Sequence, residues 1–570
     1  MWCWFALKQV PSVKKTVRSK RPLPQGTCRN EHVVRQALLL AALTVAVFSP
    51  TLWSGFVYDS RLQILTDSFI HTAANWWNVV SFRVLGLDVL DFNRPVQLAV
   101  LMLDSAVWGA NPFGYHLTSI LLHAANTVLV FLVIRKLLAV GFLERPGFPA
   151  MMVPFLGALM FGIHPIMTEA VCEPCYREDL LVVFFSLSAL LLASGHRNEA
   201  RGSDVLRACL CTAACLLAVG SKETGIVAPL LLLFYWILLR RKDRPAFWFV
   251  TVSLAGILVA LFLWLRFYLA PEHSVIFESK PGYPGGSFTS AMALMPRILV
   301  LYLQNLVWPA GLCADYGFRS IQHLDPVFCI ILLGGLVVFC GLAARRPPIF
   351  LLAFSAVVLP LLPVANLIPI YRAAADRYLY FSMVGVAMTL AFFAERLSFS
   401  KKTRWVGITA TWICLLALAI YALINVERQK VWADSFALWQ DTFQRNPNSS
   451  TAAYGLGETL WEMGRLEESE KMLREANRLF GGSDGDTLAM LAVVLQRLGR
   501  EAESARFLEL ALKANPHLSD PDKRVAALAL TRPEAEAIKK LLAQHPPGAA
   551  SHSQDIRLDL STGQLPALPQ

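Results

Sequence analysis

Charge is scarce in this sequence. Asp, Glu, Lys and Arg together make up 16% of its 570 residues, against 55% hydrophobic. A soluble chain of that length needs a far more charged surface, so most of this one is expected in lipid. It also has no Walker A loop, no G-x-G-x-x-G fingerprint and no H-E-x-x-H, which removes support for nucleotide hydrolysis and zinc proteolysis. Its one C-x-x-C, Cys172 and Cys175, has no second pair or histidines beside it to complete a zinc site. Two readings stay open for that pair: a disulfide in an extracytoplasmic loop, or two unpaired thiols. Most of the other cysteines sit inside apolar runs, where they act as small hydrophobes. His116 and His123 share a helical face, but two ligands do not make a metal site. No metal and no cofactor is expected. The net charge of +11 comes from short basic clusters between apolar runs, a topology signal that argues against nucleic-acid binding.

Eleven apolar runs are long enough to span a bilayer: 33–53, 115–138, 150–168, 179–195, 205–219, 225–240, 246–270, 326–343, 349–367, 378–395 and 405–425. Two more, 95–108 and 293–309, are interrupted or bounded by Asp104, Arg297 and Pro309 and read as in-plane or re-entrant helices. The basic segment 1–32 precedes the first run, which has no clear cleavage site, so an uncleaved signal-anchor with a cytoplasmic N-terminus is expected. Alternating sides then places Arg135/Lys136, Arg197/Arg201/Arg207, residues 240–244, Arg345/Arg346 and Lys401/Lys402/Arg404 inside. Every inside loop is basic. The fold class expected is all-α: a polytopic helical domain over 33–425, then an extracytoplasmic region over 426–544 and a disordered tail over 545–570.

The region after 425 is charged and helical in pattern. Gly464 and Gly499 lie 35 apart, as do Ala476 and Ala511, the period of tetratricopeptide repeats, in which each helix pair buries its apolar stripe against the next. A partial unit over residues 432–449 precedes them. The repeats are read as a small concave surface for a polypeptide, with plain structural packing as the alternative.

The charged residues that topology does not explain collect on the outward loops. Asp59, close behind the first span, is placed to act as general base on an acceptor hydroxyl. Glu169 is the second carboxylate, either orienting Arg177 or contacting substrate. Glu178 and Asp179 open the fourth span, where helix N-termini favour acids. Lys222 and Glu223 share a short turn and either pair with each other or leave Lys222 to hold an anion. Arg372 and Arg377 match phosphate oxygens in bidentate geometry, with Asp376 locking Arg377 and Tyr378 nearby. A base for a hydroxyl, cations for a phosphate near lipid and repeats able to hold a chain point together to a lipid-phosphate-linked sugar donor and direct, inverting displacement.

The stretches 55–61 (GFVYDSR), 93–130 (which contains Arg94), 162–171 (GIHPIMTEAV), 222–226 (KETGI), 307–316 (VWPAGLCADY) and 363–385, followed by repeats, resemble the transmembrane and tetratricopeptide-repeat-containing O-mannosyltransferases and their bacterial relatives. The similarity covers about residues 33 to 516. It implies a GT-C membrane fold and transfer of mannose from a polyprenyl- or dolichyl-phosphate to protein Ser/Thr. It places the family's first-loop acid at Asp59, where the usual second acid is Ser60. It also maps an R-x-D element onto Arg177 and Asp179, and an E-R-Y-L-Y element onto Asp376, Arg377 and Tyr378. The short array favours a bacterial-type protein in the inner membrane with periplasmic repeats; the alternative is the ER membrane with lumenal repeats. Two other readings remain: the same chemistry on a glycan or lipid, or a catalytically inactive scaffold.

Overall fold

The computed structural model describes residues 26–141, 148–195, 202–241, 244–269, 282–317, 321, 325–343, 348–370, 372–398, 404–526 and 530–545. The N-terminal basic segment up to residue 25, the tail from 546 and the basic residues at 197, 201, 345–346 and 401–402 lie outside them. The described residues are helical, with no strand among them.

The membrane part is built from α1 (Gly26–Phe48), α2 (Trp76–Val80), α3 (Pro95–Trp108), α4 (Pro112–Gly141), α5 (Phe148–Ile163), α6 (Thr168–Cys172), α7 (Arg177–Ala193), α8 (Gly202–Ser221), α9 (Val227–Tyr235), α10 (Pro245–Leu269), α11 (Phe288–Val307), α12 (Pro326–Ala343), α13 (Pro348–Val358), α14 (Ser382–Ser398) and α15 (Arg404–Val431). Seven of the described helices are long and apolar enough to cross a membrane, or eight if the bent α5–α6 pair counts as one span. Of the eleven expected runs, six fall on single helices of this kind and one on the bent pair. The other four, at α7, α12, α13 and α14, are helices of 11 to 18 residues. In α7, α13 and α14 the limits have local causes. α7 opens on Arg177, Glu178 and Asp179, all turned into the fold. The turn Asp376–Leu379 ahead of α14 is likewise buried, and α13 stops ahead of a turn holding Pro360.

α11, expected in the membrane plane, meets the length and hydropathy of a span. Its surroundings nevertheless tie both ends to one connector. Tyr283, just before it, donates from its hydroxyl to the Leu367 carbonyl (3.3 Å), and Asn305, near its end, donates to Asp376 (3.2 Å).

The bundle is polarised. At one end Lys136 reaches the Leu191 carbonyl (3.4 Å), Arg244 pairs with Asp204, and Arg240 and Arg207 crowd Lys136. The opposite end carries the carboxylates and arginines of the loops expected to face outward. A single hydrophobic core runs through the bundle, and residues 64–102 form a smaller core of their own with Tyr115 and Cys175.

No flexible linker separates the membrane part from the repeats. α15 continues through Val431 to the buried Trp432, and α16 (Ser435–Arg445) follows, capped by Asp434 on the Ala437 N–H (2.8 Å). Next come the hairpins α17 (Ser450–Glu462)–α18 (Leu466–Leu479) and α19 (Gly485–Arg497)–α20 (Glu501–Ala514). The 35-residue period has a backbone cause: Gly464 and Gly499 sit at φ +75° and +76°, the left-handed turn between paired helices that glycine adopts without a Cβ clash. Two further helices, α21 (Pro521–Ala526) and α22 (Arg532–Gln544), end the described chain. α22 lies along α19, with Glu534 at one end accepting from the Tyr454 hydroxyl (2.6 Å) and His545 just past the other meeting Gln496 (3.5 Å). Leu488 to Leu495 of α19 are consequently buried on every side.

Candidate active site

Asp59 stands where α1 and its following turn give way to the first loop. Tyr58 before it takes φ +52°, a left-handed conformation unusual for a bulky residue, and this turns the Asp59 side chain into the open. Asp59 is the exposed acid of the cluster. The Tyr176 hydroxyl donates to its Oδ2 at 2.8 Å. Burial pushes the Tyr176 phenol well up, against the pull of Arg377, so it remains protonated as a donor.

The face of Tyr176 carries Arg377, whose guanidinium carbon lies 3.9 Å from the ring centre. Arg377 also pairs with Glu169, and its backbone N–H donates to Glu169 Oε2 at 2.9 Å. Arg372 sits 5.5 Å from the Tyr58 ring and pairs with Asp315 at 2.8 Å. Asp59, Glu169, Arg372 and Arg377 are thus brought together through two tyrosines, Tyr58 and Tyr176. A carboxylate open to solvent stands within one ring of two guanidinium groups (Arg372 is 22% exposed).

Three expected details come out differently. Asp376 does not lock Arg377: its Oδ1 accepts from Tyr316 (2.5 Å) and Asn305 (3.2 Å), and Glu169 takes the arginine. Glu169 orients Arg377 rather than Arg177, and at 2% exposure it has no open face for substrate. Arg177 is sealed away on α7, fully buried, bonded to Asp104 (2.6 Å), Ser119 (3.1 Å) and the Tyr115 carbonyl (2.7 Å). Its donors are occupied, so it is not available to a phosphate.

Lys222 and Glu223 do not pair with each other. Lys222 bonds Asp179 (2.6 Å) and Glu178 (3.0 Å); Glu223 pairs with Arg266 (2.7 Å) and Arg94 (3.3 Å). Arg94 also meets Asp91 (2.9 Å) and Glu178 (2.5 Å). This second network adjoins the first through Tyr378, whose ring lies 5.3 Å from Arg377 and 5.7 Å from Lys222. Cys172 and Cys175 are unpaired, against Thr51 and Ser60 respectively, which settles that pair as two thiols. His116 and His123 find backbone partners, Gly55 and Gly162, and His123 also meets Tyr380 (2.8 Å). No cluster of three or more metal-ligating side chains occurs among the described residues.

Tyr58, Tyr176, Asp315 and Arg266 were missed from sequence. Tyr58 and Tyr176 each abut a residue that was selected, Asp59 and Arg177, and an aromatic beside an outward charge was the available signal. Nothing in sequence pairs Asp315 with Arg372.

The repeats close over this end. The Gly55 N–H donates to the Ala433 carbonyl (2.9 Å), Tyr58 packs on Trp439 (5.1 Å between ring centres), and Arg61 pairs with Glu458 (3.3 Å) and Glu462. The Ser449 hydroxyl caps α17 and also donates to Asp315 (2.5 Å).

Fold and site together describe an all-helical, polytopic membrane protein with a short tetratricopeptide array docked over a charged site at one end of the bundle. A tetratricopeptide-repeat family profile matches residues 450–480. Most of the chain is similar to curated protein O-mannosyl-transferases. One from Caenorhabditis elegans is 24% identical, covering 78% of this chain and 63% of the relative. Human TMTC3 is 23% identical over 87% of this chain and 56% of the relative, and Drosophila melanogaster Tmtc1 is 24% identical over 80% and 63%. The chain therefore spans about 56% to 63% of the length of these relatives. Among solved structures, ArnT from Cupriavidus metallidurans bound to undecaprenyl phosphate matches at 14% identity and TM-score 0.39, over 89% of this chain and 79% of that one.

Proposed function

We propose that the protein is a membrane glycosyltransferase that moves a sugar, mannose, from a polyprenyl- or dolichyl-phosphate to Ser/Thr hydroxyls of protein at the extracytoplasmic face. The observation that carries this reading is the exposed Asp59 carboxylate beside Arg372 and Arg377, at the bundle end that bears the repeats. The relatives' names supply mannose and protein as sugar and acceptor class.

Asp59 takes the proton of the acceptor hydroxyl as its oxygen attacks the anomeric carbon. The bond from that carbon to the phosphate oxygen breaks, and the lipid phosphate leaves with the electron pair. Arg372, half-buried beside Tyr58, and Arg377, buried against Tyr176, hold the growing negative charge, which favours the transition state over the bound donor. Attack opposite the leaving group inverts the anomeric centre. Basic residues at the far end of the bundle (Lys136, Arg207, Arg240 and Arg244) support an extracytoplasmic site by the positive-inside rule.

The test is transfer by purified full-length protein from a panel of polyprenyl-phosphate sugars to Ser/Thr peptides, compared with Asp59→Asn. Consumption of the mannosyl donor by wild type, and its loss in the folded variant, is the expected result; equal consumption by both removes the base. A second reading, transfer to a glycan or lipid hydroxyl, draws on α22. That helix leaves α19 no free face for a polypeptide, and altered envelope polysaccharide with unchanged glycoproteins in cells lacking the protein favours it.

A further inference from the structure

Glu173 has no part in the mechanism above, yet it is the most enclosed acid beside Asp59. Its side chain is wholly buried in the turn between α6 and α7. Its Oε1 accepts from the Ser60 backbone N–H (3.1 Å), from the Ser60 hydroxyl and from the Cys175 N–H (3.4 Å). Its Oε2 has no hydrogen-bond partner among the described residues. Asp59 is the chain neighbour of Ser60, and its charge bears directly on the Glu173 carboxyl.

We propose that Glu173 is a positioning residue for sugar transfer: a buried carboxyl group that pins Ser60 and thereby aims the Asp59 carboxylate at the acceptor hydroxyl. The inference rests on the transferase reading. Its physical basis has three parts. The left-handed backbone at Tyr58 is a strained conformation that persists only where its surroundings over-determine it. Ser60, two residues after Tyr58, sends both of its hydrogen-bond donors to one buried Glu173 oxygen, its N–H also reaching the Val57 carbonyl (3.1 Å), which supplies that restraint. Tyr176, three residues beyond Glu173, grips the Asp59 carboxylate itself. One short turn therefore holds Asp59 from two sides, through the backbone and through the side chain.

Neutrality of Glu173 follows from its surroundings. Ionised, it would leave one buried oxygen bare beside a second carboxylate, a like-charge pair in low dielectric. Burial pushes its pKa well above the usual carboxylate range, and Asp59 adds to the push although the Ser60 bonds oppose it. Protonated, it keeps Oε1 as acceptor for Ser60 and places no second charge beside the Asp59 side chain.

The experiment measures kcat and donor KM for full-length protein in liposomes, with polyprenyl-phosphate mannose and a Ser/Thr peptide. A misaimed base acts on rate: Glu173→Ala is expected to lower kcat by roughly 10- to 100-fold with donor KM within about twofold of wild type. Glu173→Gln, neutral and able to accept through Oε1, restores most of that rate. Ser60→Ala slows the reaction similarly, and combining it with Glu173→Ala costs little more than either alone. If Glu173→Ala fails to fold, the Gln and Ser60 variants carry the test. Wild-type kcat in Glu173→Ala, a Gln variant as slow as Ala, or KM rising as kcat falls each overturn the inference and leave the transferase reading standing. A wild type that consumes no polyprenyl-phosphate sugar overturns both.

Discussion

A guanidinium is either sealed by a fold or left partly open to solvent, and Arg177 and Arg372 show the two cases. Removing Arg177 strands Asp104 in a buried site, which costs about 3–5 kcal/mol. Arg177→Ala is therefore expected to cut thermal stability in detergent and the yield of folded protein. Arg372→Ala should fold normally and raise donor KM, since its partner Asp315 keeps the Ser449 bond. Equal melting temperatures for the two variants would count against this division. Asp376 makes a pH prediction. Burial pushes it up to about 7, and the Glu169 charge adds, while Tyr316, Asn305 and Arg428 pull the other way. The folded state holds a proton there that the unfolded chain has released above about pH 4. Its contribution is thus full below the unfolded value and falls as pH rises to about 7, by at most about 1.4 kcal/mol per unit. Asp376→Asn should flatten that slope and leave the variant the more stable protein at pH 8 in thermal melts. None of these partnerships was legible in sequence. Arg377 and Glu169 are 208 positions apart, and Asp376, one position from Arg377, was the nearer but wrong partner.

At the scale of elements, the repeat hairpins were the most legible feature, because a glycine at positive φ every 35 residues is a local requirement. α22 was not, since a charged helix after the repeats carries no mark of where it docks. Asp486, Glu458 and Glu534 gather where its N-terminus meets α17 and α19, facing Arg61, Arg524, Glu462 and Asp484. Burial pushes all three acids up, Asp486 to about 6. Folded protein holds these protons in a range where unfolded chain does not, so docking of α22 weakens as pH rises through about 6. Backbone hydrogen exchange in α22, corrected for intrinsic rate, should be faster at pH 7.5 than at pH 5.5; no difference would remove the acids from the interface. Ile538→Asp, placing a charge in the repeat core, should release α22 outright and make its amides exchange freely at both pH values.

For the whole molecule, the repeats act as the roof of the site. Tyr58 on Trp439, Arg61 on Glu458 and Glu462, and Asp315 on Ser449 tie three outward-loop residues to the array. Arg61→Ala is expected to loosen the Asp59 loop and lower transfer severalfold while donor binding persists, read from kcat against KM. Single cysteines placed at Asp59, Asp315 and Ser450 should all be labelled from the same side of the membrane by an impermeant reagent. Labelling of any one from the opposite side would dismantle the site.

Hydropathy, basic clusters and the 35-residue period by themselves determined a helical membrane protein with one charged face and a repeat region, because each depends on residues near one another in the chain. They also singled out Asp59, Arg372 and Arg377, since an outward charge close to an apolar run stands out locally. Which acid holds which arginine, which arginine is sealed in the bundle, and what covers the repeat helices were decided only by tertiary structure. Those are contacts between segments up to four hundred residues apart, such as Arg61 with Glu462, and a buried charge is stable only beside the partner that the fold delivers to it.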